Sequence, residues 1–313
     1  MKFNRTQQAH FALLAVQLIY GINYLVAKGI MPDKIGPSAF VMLRLSAGGL
    51  LFWLVSSFFK EKVDRRDLPK LALCGLLGAC ANQMLFFNGL NLTSPIDAAI
   101  IMTSTPVFVL IISSFILKES ITFQKVVGLI VGAIGAILLI YAGATSRGTG
   151  TILGNSLVLM NAVSFSFYLV IVKPFMKKYK PITVISWVFL FGFLFGLPFG
   201  AKQLYETDFS TFTSGTYAVI AFVILGTTFL AYLFNIFASK HVMPSISGSY
   251  IYLQPVISFL VVSIYSFWMK VDRYKDDISM LKVACCLFVI AGVYLISSKR
   301  LKLFQIRSKS SQV

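Results

Sequence analysis

Ten long apolar runs, separated by short polar turns, follow one another along the chain. They lie at about 9–30, 37–59, 69–92, 95–117, 123–141, 151–172, 181–199, 214–238, 244–268 and 279–298. At about 1.5 Å of rise per residue, each run is long enough to cross a hydrocarbon core about 30 Å thick as an α-helix. The pattern predicts an all-α membrane protein with ten transmembrane helices.

Two of these runs share a pattern of prolines. A shift of 149 positions takes Pro95 to Pro244 and Pro106 to Pro255. A weaker match, at a shift of 144, aligns a Tyr-Leu-Val tripeptide of the first run with one in the sixth. Five runs per half is an odd number, so the second half must enter the membrane with the opposite orientation. We therefore predict two inverted repeats, which can enclose a site near the membrane midplane.

Lysine and arginine are unevenly distributed among the segments between the runs. If both chain termini are cytoplasmic, nineteen of these residues lie in cytoplasmic segments and six in exterior ones. Basic residues favour the cytoplasmic side of a membrane, so this orientation is predicted. We expect a multi-pass protein of the cell inner membrane with both termini in the cytoplasm.

Composition agrees with a membrane protein and excludes several other classes. Hydrophobic residues make up 57% and charged residues 12% of the chain, whereas a soluble domain has about 25% charged residues. The net charge of +17 comes from basic residues in turns between apolar runs and not from a basic stripe, so we expect no nucleic-acid partner. The four cysteines lie in apolar runs and the chain has two histidines, so no metal or other cofactor is predicted.

Several motifs of the first half resemble a known family. The string NGLNLTSP at 88–95, the following Pro106, the Leu-Lys-Glu turn ending at Glu119 and the glycines of 128–135 resemble the EamA domain of the drug/metabolite transporter superfamily. The resemblance implies two EamA repeats, at 11–141 and 151–298, followed by a basic tail at 299–313. It also implies a ten-helix exporter of small metabolites. The second half has Trp268 where the first has Glu119, so we assign that glutamate no transport role.

The expected function is a permease that moves a small organic metabolite, such as an amino acid or a related compound, by alternating access. No GxxxxGK[ST] loop occurs, so ATP does not drive it directly. A lipid or lipid-linked sugar flippase of the same fold is the main alternative. A channel would need a charged or carbonyl-lined filter, and an intramembrane enzyme would need a catalytic cluster. Neither is visible in the sequence, so the partners we expect are the substrate and the lipid bilayer.

Three of the charged residues within the predicted spans are candidates for the site, because charges there are costly and often functional. Lys28, near the outer end of the first span, can snorkel to the interface or pair within the protein. Arg44 can contact backbone carbonyls or Asp97, or face a ligand. Asp97 can couple transport to protons or cap its helix, where its negative charge favours the helix dipole.

Polar uncharged residues in the spans are candidates for a substrate cavity between the repeats. Each could equally form an interhelical hydrogen bond worth about 0.6 kcal/mol. The candidates are Asn23, Asn88, Asn91, Ser104, Thr105, Tyr168, Asn235, Ser249, Tyr252 and Gln254.

Prolines and glycines suggest two further features. Pro106 and Pro255 remove backbone hydrogen bonds, so they can be flexing points of the gates or fixed kinks that shape the cavity. Gly128, Gly132 and Gly135 form a face of small residues that can pack within the fold or form a homodimer.

Overall fold

The computed structural model of the protein describes residues 4–59, 61–116, 150–239, 241, 250–269 and 280–297, together with scattered positions from 123 to 138. All regular structure in these residues is helical. The helices are α1 (Arg5–Ile30), α2 (Pro37–Ser57), α3 (Leu68–Gly75), α4 (Asn82–Leu92), α5 (Pro95–Met102), α6 (Thr105–Ile116), α7 (Ile152–Lys178), α8 (Pro181–Tyr205), α9 (Ser214–Ala221), α10 (Ala231–Ser239), α11 (Leu253–Met269) and α12 (Met280–Ser297).

Two π-helical segments join pairs of these helices. The first π segment, Leu76–Ala81, connects α3 to α4, and the second π segment, Phe222–Leu230, connects α9 to α10. A π turn replaces i→i+4 hydrogen bonds by i→i+5 bonds, and such turns are frequent at functional sites. Each π segment lies inside one apolar run of the sequence.

Seven helical stretches of the described residues are long and apolar enough to cross a membrane. They are Arg5–Ile30, Pro37–Ser57, Arg65–Leu92, Pro95–Ile116, Ile152–Lys178, Pro181–Tyr205 and Ser214–Asn235. Leu253–Trp268 and Val283–Gly292 are apolar but shorter. Most of the predicted run at 123–141 and the start of the run at 244–268 lie outside the described residues.

Large apolar side chains remain exposed along these stretches. Leu50 is 73% exposed, Phe115 79% and Phe199 69%. In water such surfaces would aggregate, but hydrocarbon solvates them without cost because lipid tails are equally apolar. The multi-pass membrane prediction is therefore consistent with the surface.

Proline and short polar residues determine where several helices begin. Pro37, Pro95 and Pro181 are the first residues of α2, α5 and α8, where a missing N–H costs nothing and the fixed φ favours the helix. Asn4 and Gln7 form a reciprocal capping box at the start of α1. The runs predicted to end at 172 and 199 continue to Lys178 and Tyr205.

The fourth apolar run is interrupted at Thr103 and Ser104, between α5 and α6. Pro106 has no N–H to donate to the carbonyl of Met102, and its ring would clash with that carbonyl in a continuous helix. Thr105 Oγ1 donates to the Met102 oxygen at 2.7 Å instead. The proline thus breaks the helix, and the neighbouring hydroxyl satisfies the carbonyl that the break leaves open.

Close helix packing connects the two halves of the chain. α2 packs along α8, where a Cβ at Gly200 would come within 2.6 Å of the Ser38 carbonyl oxygen. α1 packs against α10 and α11, whereas α7 packs against α4 and α6. At the contact of α4 with α7, a Cβ at Gly89 would lie 2.9 Å from the Gly154 carbonyl oxygen. Small residues therefore allow backbones to approach, as is usual between membrane helices.

One end of the bundle is joined by polar contacts between the loop after α2 and the end of α7. Asp67 Oδ2 accepts hydrogen bonds from Lys178 Nζ and from the Tyr179 hydroxyl, both at 2.6 Å. The Tyr179 hydroxyl also accepts from the backbone N–H of Asp64 at 3.1 Å. Both segments were predicted to be cytoplasmic, so the prediction and the contacts place them at the same end.

At the opposite end, the loop after α1 meets the end of α8 and the loop that follows it. Gln203 Oε1 accepts from the backbone N–H of Ala39 at 2.8 Å. In that loop, hydrogen bonds donated by the Ser210 hydroxyl and backbone N–H lower the pKa of Asp208. The carboxylate is therefore charged at neutral pH and holds the short turn Phe209–Thr211.

Candidate functional site

A polar stripe on α1 faces the protein interior. Gln17, Tyr24 and Lys28 are buried, at 2%, 3% and 5% exposure, and their spacing of seven and four residues places them on one helix face. The Tyr24 hydroxyl donates to Gln254 Oε1 at 2.9 Å, and Gln254 Nε2 donates to Gln17 Oε1 at 2.8 Å. The stripe thus joins α1 to the first turn of α11 by a buried polar chain.

Lys28 extends this stripe toward the end of α4. Its Nζ donates to the carbonyl oxygens of Leu90 at 3.0 Å and Asn91 at 2.9 Å. Carbonyls in the last turn of a helix lack helical partners and carry partial negative charge, so a cation there is favourable. Lys28 is therefore buried and bound inside the protein, which is the pairing alternative of the sequence analysis.

Arg44 lies on α2, is 6% exposed and contacts the second π segment. Its Nε and Nη2 donate to Thr228 Oγ1 at 3.1 and 3.0 Å, and Nη2 also donates to Thr227 Oγ1 at 3.3 Å. The guanidinium carbon lies 4.6 Å from the centroid of the Phe87 ring, which is a cation–π distance. The alternatives considered from sequence, Asp97 and backbone carbonyls, are not among these partners.

The second π segment explains why two threonines can serve one arginine. Both the Thr227 and the Thr228 hydroxyl donate to the Val223 carbonyl oxygen, at 2.6 and 3.0 Å. Because each hydroxyl proton points to that carbonyl, the lone pairs of both oxygens are available to the guanidinium. The backbone irregularity therefore orients the acceptors for Arg44.

Three tyrosines on different helices interact electrostatically with Arg44 or with one another. The hydroxyls of Tyr232 on α10 and Tyr20 on α1 interact electrostatically with Arg44. Tyr168 on α7 interacts with both of them. Tyr168 is also 4% exposed and packs against the first π segment, where a Cβ at Gly78 would overlap its ring. Tyr20 and Tyr232 thus lie within electrostatic range of Arg44, and Tyr168 lies within range of these two tyrosines.

Asp97 lies near the start of α5 and is fully buried. The cap of that helix is Ser94, whose hydroxyl oxygen accepts from the Asp97 backbone N–H at 3.0 Å. The Asp97 carboxylate is in the first turn, where negative charge is favoured by the helix dipole. The sequence correctly located this residue at a helix start, but a serine provides the cap.

The predicted polar residues do not all meet at one place. Ser104 and Thr105 donate to carbonyls within their own turn, and Asn88 and Asn235 donate to carbonyls four residues earlier. Asn23 Oδ1 and Asn91 Oδ1 are buried without a hydrogen-bond partner in the described part of the chain.

Only part of the predicted second-half set can be located. Gln254 belongs to the polar chain with α1. Pro255 is buried near the start of α11, directly after the short turn Tyr250–Tyr252. Ser249 and the side chain of Tyr252 lie outside the described residues.

The sequence analysis missed five residues that lie in the polar stripe of α1 or near Arg44, namely Gln17, Tyr20, Thr227, Thr228 and Tyr232. Two signals were present: polar residues at intervals of three and four in the apolar α1, and a threonine pair inside an apolar run. Among the described residues, no group of three His, Cys, Asp or Glu side chains is arranged to hold a metal ion.

Comparisons with known proteins relate the chain to membrane transporters. The model of the EamA-like transporter family matches residues 7–141 and 152–298. An uncharacterized transporter of Archaeoglobus fulgidus is 26% identical over 85% of this chain and 90% of its own length. The uncharacterized transporter YyaM of Bacillus subtilis is 25% identical over 80% of this chain and 84% of its own length.

Two more matches concern fold and substrate. A protein of solved crystal structure has a TM-score of 0.63 at 20% identity, over 99% of this chain and 100% of the other, which shows a shared fold. A probable terminal-alkyne amino-acid exporter of Streptantibioticus cattleyicolor is 28% identical over 53% of this chain and 55% of its own length.

Proposed function

The chain belongs to the EamA-like transporter family, and on that premise we propose that it exports a small organic metabolite by alternating access. In this proposal it is a ten-helix protein of the inner membrane with two inverted repeats, at 11–141 and 151–298. Both termini are cytoplasmic. Its substrate is an amino acid or a related compound.

One packing observation carries this proposal. The first helix of each half packs against helices of the other half. α1 packs against α10 and α11, and α7 packs against α4 and α6. Exchanging the halves converts one set of contacts into the other, as expected for two copies related by a two-fold axis in the membrane plane. Such a relation produces two near-equivalent packings, one open to each side.

Irregular backbone at corresponding places supports the same proposal. Each half has a π segment inside its third span, and each has a proline in the first turn of a helix. Pro106 in α6 follows the break at Thr103 and Ser104, and Pro255 in α11 follows the short turn Tyr250–Tyr252. Irregular backbone at membrane depth is tolerated where it is buried in protein or lines a cavity. Discontinuous helices of this kind are common around transporter substrate sites.

The substrate class rests on two kinds of support. A relative with about half its length aligned is named as an amino-acid exporter. The centre around Arg44 and the tyrosines combines a cation with aromatic rings, which suits a compact solute with polar and apolar parts. A lipid or lipid-linked sugar flippase is the alternative.

Transport by the purified chain in proteoliposomes tests the proposal. Radiolabelled L-amino acids are offered to vesicles preloaded with the unlabelled compound, with protein-free vesicles as the control. We expect saturable uptake that internal substrate stimulates. Flux that stays linear with concentration would indicate a channel, and scrambling of a head-group-labelled lipid without amino-acid flux would indicate a flippase.

The prolines test the alternating-access part. In Pro106→Ala the new N–H can reach the Met102 carbonyl, so the helix can continue through Thr103 and Ser104 and stiffen. We expect turnover to fall on the order of tenfold in Pro106→Ala and Pro255→Ala at unchanged protein level, because gating motions often limit turnover. Pro37→Ala, at the first position of α2, is the matched control. Full activity of both variants would refute a gating role.

A further inference from the structure

We call Arg44 and the residues that contact its guanidinium, namely Thr227, Thr228 and Phe87, the Arg44 centre. It contains a buried positive charge whose partners are all neutral. Two threonine hydroxyls and the face of Phe87 contact the guanidinium. The ionisable groups that interact with it are the hydroxyls of Tyr232 and Tyr20. Within the described residues, no aspartate or glutamate forms an ion pair with Arg44. Buried charges are normally paired, so a guanidinium held by neutral groups favours the binding of an anion.

The hydrogen bonds of Arg44 leave one side of its guanidinium available. All three bonds that the described residues give it come from Nε and Nη2. Guanidinium presents five N–H donors in a planar fork, and the two on Nη1 are not used in those bonds. A carboxylate can accept from such a fork with two parallel hydrogen bonds.

The threonines hold the guanidinium but do not compete for an anion. Because both hydroxyl protons are donated to Val223, Thr227 and Thr228 act toward Arg44 only as acceptors. They fix the plane of the guanidinium from one edge. The tyrosine hydroxyls, which can donate, lie within electrostatic reach of Arg44 and can bind the same anion.

The position of the centre suits a transported ligand. Arg44 and Phe87 belong to the first half, on α2 and α4, whereas Thr227, Thr228 and Tyr232 belong to the second. In the proposed mechanism the two halves move against each other around the substrate. An anion bound there would contact both halves and so would be released when they rearrange.

We propose that Arg44 binds the carboxylate of the transported substrate, with Tyr20 and Tyr232 as additional donors. This inference rests on the proposed function and deepens it: the substrate is a carboxylic acid, and the acid group enters the membrane paired with Arg44. Neutral or purely cationic metabolites are poor substrates because they would leave the guanidinium without a counter-ion.

Paired probes test this inference without any mutation. The purified chain is exposed to L-amino acids and to their C-terminal amides, which have nearly the same shape but no carboxylate. We expect the acids to raise the Tm of the protein in detergent and to compete for uptake into proteoliposomes, and the amides to do neither. Equal competition by acids and amides would overturn the proposal.

Variants of Arg44 then assign the effect to this side chain. Arg44→Gln removes the charge and should raise the KM for the acids at least tenfold, at unchanged protein level. Arg44→Lys keeps the charge but loses the fork, so its KM should lie between those of Arg44→Gln and the wild type. Lys202→Gln, which removes an exposed charge at the end of α8, is the control for net charge and should leave KM unchanged. An unchanged KM in Arg44→Gln would refute the assignment.

A second variant and a binding measurement distinguish failure of this inference from misfolding and from failure of the proposed function. If Arg44→Gln fails to fold, Thr228→Val keeps the arginine but removes two of its three hydrogen bonds, and the same rise in KM is expected. If the wild type transports no probe at all, the proposed function fails. The Arg44 site is then judged by the Tm shift alone, which acids should cause and amides should not.

Discussion

The two π segments lie in the third and the eighth apolar runs of the chain and meet their neighbours in different ways. The first, Leu76–Ala81, is a docking site for α7: Ser164 Oγ donates to the Leu77 carbonyl at 2.8 Å, and the ring of Tyr168 fills the space above Gly78. Next to it, Asn161 Nδ2 donates to the Asn82 carbonyl at 2.5 Å.

In the second π segment, Phe222–Leu230, a backbone carbonyl is hydrogen-bonded by side chains of the same segment. Thr227 and Thr228 donate to Val223 within the segment and use their remaining lone pairs for Arg44. A π turn in the first half is thus closed by polar side chains from another helix, and a π turn in the second half by its own threonines. A π segment can therefore provide a packing surface or a charge-binding surface. Which one it provides depends on whether the hydroxyl groups lie on the neighbouring helix or in the segment.

The largest expected effect concerns the packing surface. In Gly78→Ala the new methyl group would overlap the ring of Tyr168, so the ring or α7 must shift. Overpacking of this kind costs about 1–3 kcal/mol. Thermal unfolding in detergent should show a clear fall in Tm. Gly29→Ala is the matched control, because nothing lies within 4 Å of its Cβ, and it should be neutral or stabilising.

Combining Gly78→Ala with Tyr168→Ala sharpens that prediction. If the ring is what obstructs the methyl group, the double variant should lose less stability than the sum of the two single variants. Strict additivity would show that the Gly78 substitution acts through some other contact.

A smaller effect is expected at the charge-binding surface. Thr228→Val keeps the side-chain shape but removes the acceptor of two hydrogen bonds from Arg44. Hydrogen bonds to charged groups contribute about 1.5–3 kcal/mol each in favourable cases, although interhelical bonds in membranes average nearer 0.6. We expect a loss of about 1 kcal/mol, measured by Tm, whereas Thr228→Ser should retain wild-type stability. Equal losses in the valine and serine variants would contradict a role for the hydroxyl.

Smaller still is the expected effect of removing one carbonyl contact next to the first π segment, at Asn82 of α4. Asn161→Ala loses the donor to the Asn82 carbonyl and should cost about 0.6 kcal/mol, the average for interhelical hydrogen bonds in membranes. Asn155→Ala is unsuitable as a control because Asn155 binds Thr93, so Leu153→Ala, at an exposed position of α7, serves instead. A loss as large as that of Gly78→Ala would show that hydrogen bonding, and not ring packing, holds α7 here.

The smallest effect is expected at the C-terminal end of α7, where Lys178 pairs with Asp67. Asp67→Asn removes the ion pair with Lys178, whose side chain is half exposed, and exposed pairs contribute little. A slight fall in Tm at low salt should disappear near 1 M salt, where the screening length is about 3 Å. A large fall that persists in high salt would mean that this contact, and not the first π segment, attaches α7 to the first half.

Most of the helical layout could be predicted from sequence because a bilayer imposes a simple rule. Every backbone polar group in hydrocarbon must be satisfied internally, so a long apolar run is a helix. Proline marked the starts of α2, α5 and α8 and the break before α6 for the same reason, since it lacks an N–H. The π segments were not predicted, because no residue type specifies them.

The candidate site was only partly predictable. Arg44 was singled out because a charge in an apolar run is conspicuous, and Tyr168 and Gln254 because they are polar residues within predicted spans. The threonines and Tyr20 were missed because polar uncharged residues are common in membrane helices, and their spacing alone does not tell which helix they meet. Asn88 and Asn235 were candidates, yet each donates to a carbonyl of its own helix, and Asn88 donates in addition to the Ser38 hydroxyl on α2.

The amino-acid sequence is enough to establish that the chain is helical and membrane-embedded and to locate the charges and prolines that interrupt its apolar runs. Those properties follow from local chemistry: hydrophobicity, charge and the missing N–H of proline. The contacts of Lys28 with carbonyl groups and of Arg44 with threonine hydroxyls could be known only from the folded structure. The partner of a buried cation depends on how helices distant in sequence pack, and close approach at glycines such as Gly89 sets that packing.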